Sequence, residues 1–523
     1  MTARERYNEL VTDRRQFLDK AVDCSELTLP YLIQDDTTSK PTHETLRIPW
    51  QSVGSKCVVG LAAKLMLAIL PPQGTFFKFG VREDKIGEDL PPEAMSEMEL
   101  SLSKMERMVM DYIAASNDRV VIHQALKHLI VGGNALLFMG KDGIKNYPLN
   151  RYVVNRDGNG NVLEIVTKEL INRDVLGFDL PKKEPNTVVD KTYGTNTDEV
   201  EVYTCVKLDN GRWVWYQEVD DMIIPGSRST APKNASPWLV LTFNSVDGEQ
   251  YGRGRVEEFL GDLKSLEGLS QALVEGAAAA SKVIFLVSPS STTKPATIAK
   301  AGNGAIVQGR AEDVQVVQVG KTADFSTAAQ MSQTIERRLL EAFLVMNVRN
   351  AERVTAEEVR LTQLELEQQL GGIFSLLTTS FLIPYLDRTL LVLQRTNELP
   401  KLPKDIIRPT IVAGVNALGR GQDREALTMF MGTIAQTVGP EALMKLINPL
   451  EAIKRLAAAQ GIDVLNLVKT PEQLQGDKEQ MMQEQQQATL LQQAGQFANS
   501  KLADSENLQG MMPEGDQQLP PEQ

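Results

Sequence analysis

The sequence predicts a mixed α+β, mostly helical chain, and three observations carry that prediction. Apolar residues recur at helical spacing through the first 131 positions. The pattern then changes to β-rich runs between Gly/Asn/Asp turns. Beyond residue 254, two long helical stretches enclose a short β-like module. At 523 residues the chain allows two to four domain-sized units with a large buried core.

The elements follow in order. In residues 1–70, Tyr7, Leu10, Phe17 and Leu18 share helical spacing, and "SVGSKCVVGLAAKLMLAIL" forms a second, apolar-rich helix. A helix over 93–116 sets Met98, Leu102, Met105, Val109 and Ile113 on one face, and a helix over 119–131 stops at Gly132-Gly133. Strands follow in "NALLFMG", "RYVVNRDGNGNVLEIVTKEL", "EVEVYTCVKLDNGRWVWYQEV" and "PWLVLTF", with Asn210-Gly211 as a hairpin turn and 181–198 as an exposed insertion. Residues 255–283 and 324–346 predict helices of roughly 40 and 35 Å, the β-like 284–321 lying between them. A third long helix runs from 356 towards 396, bent at Gly371-Gly372 and Pro384. Short helices are expected over 403–468, and from Thr470 a Gln-, Met- and Glu-rich tail without a core of its own.

The formal net charge of −13 argues against a protein that coats nucleic acid, though not against one that DNA slides past. Cys24, Cys57 and Cys205 are odd in number and far apart, so no disulfide framework is expected and a reducing compartment fits. The opening is charged and helical in pattern, unlike a signal peptide, and "LAAKLMLAILPP" is broken by Lys64 and too short to span a bilayer. The expectation is a soluble intracellular product with no membrane partner.

Residues for catalysis are sparse. His43, His123 and His128 are the histidines, and the five-residue spacing of the last two places them about 140° apart on a helix, a poor metal face. No Cys-x-x-Cys pair and no phosphate-cradling Gly-x₄-Gly-Lys-Ser/Thr loop occurs, so neither metal nor cofactor is expected. "YGRGRVEE" (251–258) reads as a flexible joint into the long helix rather than a phosphate site, and Asp220-Asp221 as a solvated turn. The small residues of "EGAAAASK" (275–282) permit close helix approach, in a monomer core or in a ring of identical helices.

"VMNVRNAERVTAEEVRLTQLELEQQLGG" (345–372) is the stretch with most to explain. Thr355 and Glu358 form a capping box that starts a helix sharply, which leaves 347–354 as a true link. Arg349 and Arg353, with Arg360 just beyond the link, either pair with nearby glutamates on the surface or contact phosphate.

Several stretches resemble one family: "PWQSVGSKCVVGLAAKLMLAILP", "NRYVVNRDGNGNVLEIVT", "DGEQYGRGRVEEFLGDLKSLEGL", "ERVTAEEVR" with "LEQQLGGIFSLL", and "ALGRGQD", spread from residue 49 to about 425. The chain is similar to portal (head-to-tail connector) proteins of T7-like short-tailed bacteriophages. The resemblance implies a portal fold: wing (1–254), first stem helix (255–283), small β-containing clip (284–321), second stem helix (322–346), channel loop (347–354), long bent wing helix (355–402), helical crown (403–469) and Gln-rich tail (470–523). It implies a non-enzymatic subunit in a ring of about twelve copies, at one capsid vertex in the virion and in host cytoplasm during assembly. Implied partners are double-stranded DNA in the channel, terminase, tail adaptor, capsid and scaffolding proteins, and internal core proteins. Arg349, Asn350, Arg353, Arg360 and Lys282 would then be channel or gate residues, and Thr355, Glu358, Gly371 and Gly372 the hinge and cap of the wing helix. Two alternatives remain: another head–tail structural or adaptor protein, and a nucleic-acid-processing enzyme.

Overall fold

The computed structural model describes residues 1–35, 46–71, 75–81, 92–141, 143–176, 199–280, 284–289, 294–302, 314–317, 322–345, 372–400, 407–411 and 429–434, together with 306, 308, 310, 312, 436 and 437. The chain divides into two compact units, Met1–Gly419 and Arg420–Gln523. In the second, a helix over 429–434 is the main described element. The 181–198 insertion and the tail lie outside the described residues.

Helix α1 (Ala3–Glu26) starts with a capping box in which Glu5 N donates to Thr2 Oγ1 and Thr2 N to Glu5 Oε2. The Glu218 carboxylate also accepts from Ala3 N at 3.0 Å, a negative charge at the helix's positive end. Tyr7, Leu10 and Leu18 are buried, with Phe17 packed on the core, as their spacing predicts. Between them Arg14 is fully buried, and its guanidinium donates to Tyr7 Oη and to the carbonyls of Leu149 and Tyr152. A buried charge satisfied this way ties α1 to the sheet behind it.

Helices α2 (Val53–Ile69), α3 (Pro92–Ala115) and α4 (Asp118–Gly132) complete the N-terminal layer. Leu102, Val109 and Ile113 of α3 are buried, with Met98 and Met105 beside them. His128 of α4 is buried, and among the described residues its Nδ1 has no hydrogen-bond partner. Desolvation, helped by Lys127, depresses its pKa from 6.5 to about 4. The neutral imidazole therefore contributes stability that is complete above pH 6.5 and is lost as the pH falls towards about 4. The contribution is about 3 kcal/mol. Thermal melts of wild type and His128→Leu should diverge over that interval, the wild type losing stability on acidification that the variant keeps.

Strand β1 (Phe77–Val81) precedes α3, and α4 leads into β2 (Asn134–Gly140) and β3 (Gly143–Tyr147). With β10 (Trp238–Thr242), β2 and β3 make a three-stranded antiparallel sheet in the order β10-β2-β3. A second sheet runs β4 (Tyr152–Arg156), β5 (Val162–Asn172), β6 (Glu199–Asp209), β7 (Arg212–Val219) and β8 (Met222–Ile223), with β9 (Ser229–Pro232) also on β7. Asn210 and Gly211 both have positive φ, 47° and 75°, as a two-residue hairpin turn with the strands' own twist requires. Asp220 and Asp221 repeat the device at 46° and 63°, so this carboxylate pair serves the β7–β8 turn.

The "YGRGRVEE" segment differs from the flexible joint that its glycines predict. Asn134 Nδ2 donates to Gly252 O at 2.7 Å, and Gly252 N donates to Asn134 Oδ1 at 2.8 Å. A Cβ on Gly254 would lie 2.5 Å from Val131 O, and one on Gly133 (φ 72°) 2.4 Å from the Arg253 carbonyl carbon. The glycines let two backbones cross in contact, which is a rigid joint. Arg253 pairs with Glu249 and Glu257, and Arg255 with Glu258, so both cations of this segment have carboxylate partners.

The predicted helix 255–283 appears as α5 (Arg255–Glu258) and, after a break at Phe259, α6 (Leu260–Ala280). Strand β11 (Ile284–Val287), helix α7 (Pro295–Lys300) and strand β12 (Val314–Val317) follow, β11 pairing antiparallel with β12. Helix α8 (Thr322–Ala342) returns along α6 and ends four residues short of the predicted 346. A Cβ on Gly276 would meet the Phe325 ring at 2.3 Å, so this glycine of the small-residue run lets α8 approach α6 within the protomer.

Helix α9 (Gly372–Arg395) runs through Pro384, where the sequence predicts a bend, and carries a π-turn over Thr378–Leu382 just before it. The ring clashes with the carbonyl four residues back, and one residue of extra winding relieves it. By length and composition α9 could cross a bilayer. Here it buries Phe381, Tyr385, Leu386, Leu390 and Leu393 in the core, and Tyr385 Oη donates to buried Asp118 at 2.6 Å. Residues 407–411, read from sequence as part of a helical crown, instead form β13 (Ile407–Ile411), antiparallel to β1. Alternate burial decided this: β13 completes a ladder whose other strand lies more than 300 residues away in sequence, which helical periodicity cannot register.

Candidate functional site

Arg349, Asn350, Arg353, Thr355, Glu358, Arg360, Gly371 and Lys282 lie outside the described residues. Gly372, the last of the predicted hinge positions, opens α9, and a Cβ there would meet nothing within 4 Å. The structure does describe both ends that the 346–371 stretch joins, and the end of α8 is elaborately built.

Leu344 adopts the left-handed conformation (φ 60°), and its N–H donates to Glu341 O at 3.0 Å while Val345 N donates to Leu340 O at 2.8 Å. These two bonds make a Schellman motif, with leucine where glycine is the usual residue. Carbonyls left open at the helix end are taken by cations from elsewhere. Arg255 donates to Ala342 O at 3.3 Å, and Lys64 Nζ donates to Leu344 O. Phe343 and Leu344 are buried, the former against the Phe259 ring at 5.5 Å. Burial lowers the Lys64 pKa. Sequence reasoning registered Lys64 as an interruption of an apolar run; its opposite number, a helix end some 280 residues away, carries no sequence signal.

The hairpin α6–α8 contrasts with this tight root. Between Glu267 and Ile335 no described residue is buried, and Val274, Leu286, Ile306 and Met331 are all more than half exposed. Arg338 pairs with Asp262 at 3.5 Å. Among the described residues no group of three or more His, Cys, Asp and Glu is placed to hold a metal ion. Burial raises the Cys24 and Cys57 thiols to about 12, so at neutral pH they are unreactive packing groups.

The described residues thus form an α/β body with a solvent-exposed helical hairpin, in which the paired strands β11 and β12 lie between the two helices. A family model described as bacteriophage head to tail connecting protein matches residues 1–466. The portal protein of Enterobacteria phage T3 is 40% identical over 486 residues, covering 90% of this chain and 89% of its own. That of Escherichia phage T7 is 38% identical over 485 residues (90% and 89%), and that of Enterobacteria phage SP6 is 30% identical over 491 residues (91% and 92%). Among solved structures, the neck of an empty GTA particle superposes at a TM-score of 0.36 with 10% identity, over 79% of this chain and 90% of that one, too loosely to carry an argument. The chain belongs to the bacteriophage head-to-tail connecting protein family, as a portal subunit of the capsid vertex.

Proposed function

We propose that this subunit closes into a ring of about twelve copies around an axial channel, through which double-stranded genomic DNA is packaged and later ejected. The carrying observation is the α6–α8 hairpin, in which no described residue between Glu267 and Ile335 is buried. A two-helix element of that length has no core of its own, and cyclic packing against copies of itself supplies one. The hairpin is then the stem and its β11–β12 tip the clip, the surface offered to terminase and afterwards to the tail adaptor. The body over 1–254 with α9 is the wing, which meets capsid and scaffolding proteins, and the C-terminal residues face internal core proteins. Assembly takes place in the host cytoplasm.

The 347–354 link is the channel loop of this reading, with Arg349, Asn350 and Arg353 towards phosphate, Arg360 just beyond, and Lys282 at the stem–clip junction. Rotational repetition turns each arginine into a collar of charge in a subunit whose net charge is −13. Sparse basic collars in an acidic conduit hold duplex without stalling it, because affinity rises with each phosphate neutralised. Native mass spectrometry of the purified full chain tests the ring: a species of about twelve subunits is expected, and a monomer or dimer at assembly concentrations would overturn it.

A further inference from the structure

Lys64, on α2 between the buried Leu61 and Leu65, is itself part-buried, and no described ion pair includes it. A part-buried ammonium loses some of its hydration, and a specific hydrogen-bond acceptor offsets that loss. Its partner is the carbonyl of Leu344, at the negative end of the α8 dipole. Leu344 is itself in a backbone region that disfavours a residue with a Cβ. Two unfavourable features therefore meet at the point where the chain leaves α8.

Gly60 stands one turn before Lys64 on α2, and a Cβ there would come within 2.9 Å of Val345 Cγ2. Successive residues of the α8 exit thus dock on an i, i+4 pair of one helix face: Val345 on Gly60, and the Leu344 carbonyl on Lys64. We propose that Gly60 and Lys64 form a receptor on α2 for the end of α8, Lys64 being the positioning residue that fixes the direction in which the chain departs towards 346. Apolar packing alone would hold Val345 close; a single directed hydrogen bond to the Leu344 carbonyl also sets the orientation of that peptide plane. The purpose of the fixed direction, presenting the link to DNA, rests on the function proposed above, but the receptor does not.

Hydrogen exchange resolved to single amides in the full-chain assembly tests it. In Lys64→Met the amides of Phe343, Leu344 and Val345 should exchange roughly tenfold faster, the loss of one charge-assisted hydrogen bond. Amides in the middle of α2 and α8 should keep wild-type rates, and Lys64→Arg should restore most of the protection. Gly60→Ala, which crowds Val345 while leaving the ammonium in place, should loosen the same three amides. Unchanged exchange at those amides overturns the proposal, and so does uniform acceleration through both helices, which is what a general packing defect produces. Genome retention is read separately in particles carrying Lys64→Met. Faster exchange with unchanged retention keeps the receptor and removes the DNA role from the link.

Discussion

Replacing Arg349 and Arg353 together with alanine leaves ring assembly intact and lowers the fraction of particles retaining a full genome roughly tenfold, equivalent to about 1.4 kcal/mol of lost holding free energy. In the proposed ring each arginine would be repeated, but duplex passing through such a collar would touch only the few copies nearest its phosphates. The effect is therefore a few phosphate contacts rather than two dozen. Those contacts are electrostatic, so wild-type retention should fall with rising salt and the double variant should respond less steeply. Assembly is spared because the link follows the Schellman turn at Leu344, whose capping partners Lys64 and Arg255 sit on other elements. Particle counts by electron microscopy, with encapsidated DNA quantified after nuclease treatment, decide it. Equal DNA content in both particles would show that the arginines pair with neighbouring glutamates instead, as exposed cations in an acidic chain commonly do.

Local rules were readable in the sequence, and contacts between distant segments were not. The buried stripe of α3 and the Asn210-Gly211 turn depend on residues within one or two turns of each other, so periodicity and turn chemistry reach them. The β1–β13 ladder escaped because "IRPTI" is short, contains Pro409 and becomes a strand only beside Phe77–Val81. At the root of the candidate site the same division holds. The Thr355–Glu358 capping box expected from the sequence lies outside the described residues, while the same four-residue device is in place at Thr2 and Glu5. The left-handed Leu344 cannot be read at all, since leucine is a residue that composition would never assign there. Family resemblance supplied what periodicity lacked: it assigned a role to the helix–β–helix unit that patterning alone identified only as an arrangement.

Gly254→Ala and Gly133→Ala should be among the most destabilising single substitutions in the body, each by about 3 kcal/mol or more, whereas Gly268→Ala should be neutral or stabilising by up to about 1 kcal/mol. The three differ in what an added Cβ meets. At Gly254 it is the Val131 carbonyl oxygen at 2.5 Å and carbon at 2.8 Å; at Gly133 it is the Arg253–Gly254 peptide, with left-handed strain in addition. At Gly268, on the exposed side of α6, nothing lies within 4 Å. Relief by a small shift is blocked at the first two sites, because the atoms met are backbone and the crossing chain is held by both polar ends of Asn134. Denaturant unfolding of the three variants against wild type measures the ordering. If Gly254→Ala unfolds within about 0.5 kcal/mol of wild type, the segment yields like the flexible joint its composition suggests. The expected large loss would instead make 252–254 a rigid coupling between body and hairpin. In that case any displacement of the hairpin has to be transmitted into α4 and the β10-β2-β3 sheet, since this joint offers no slack to absorb it.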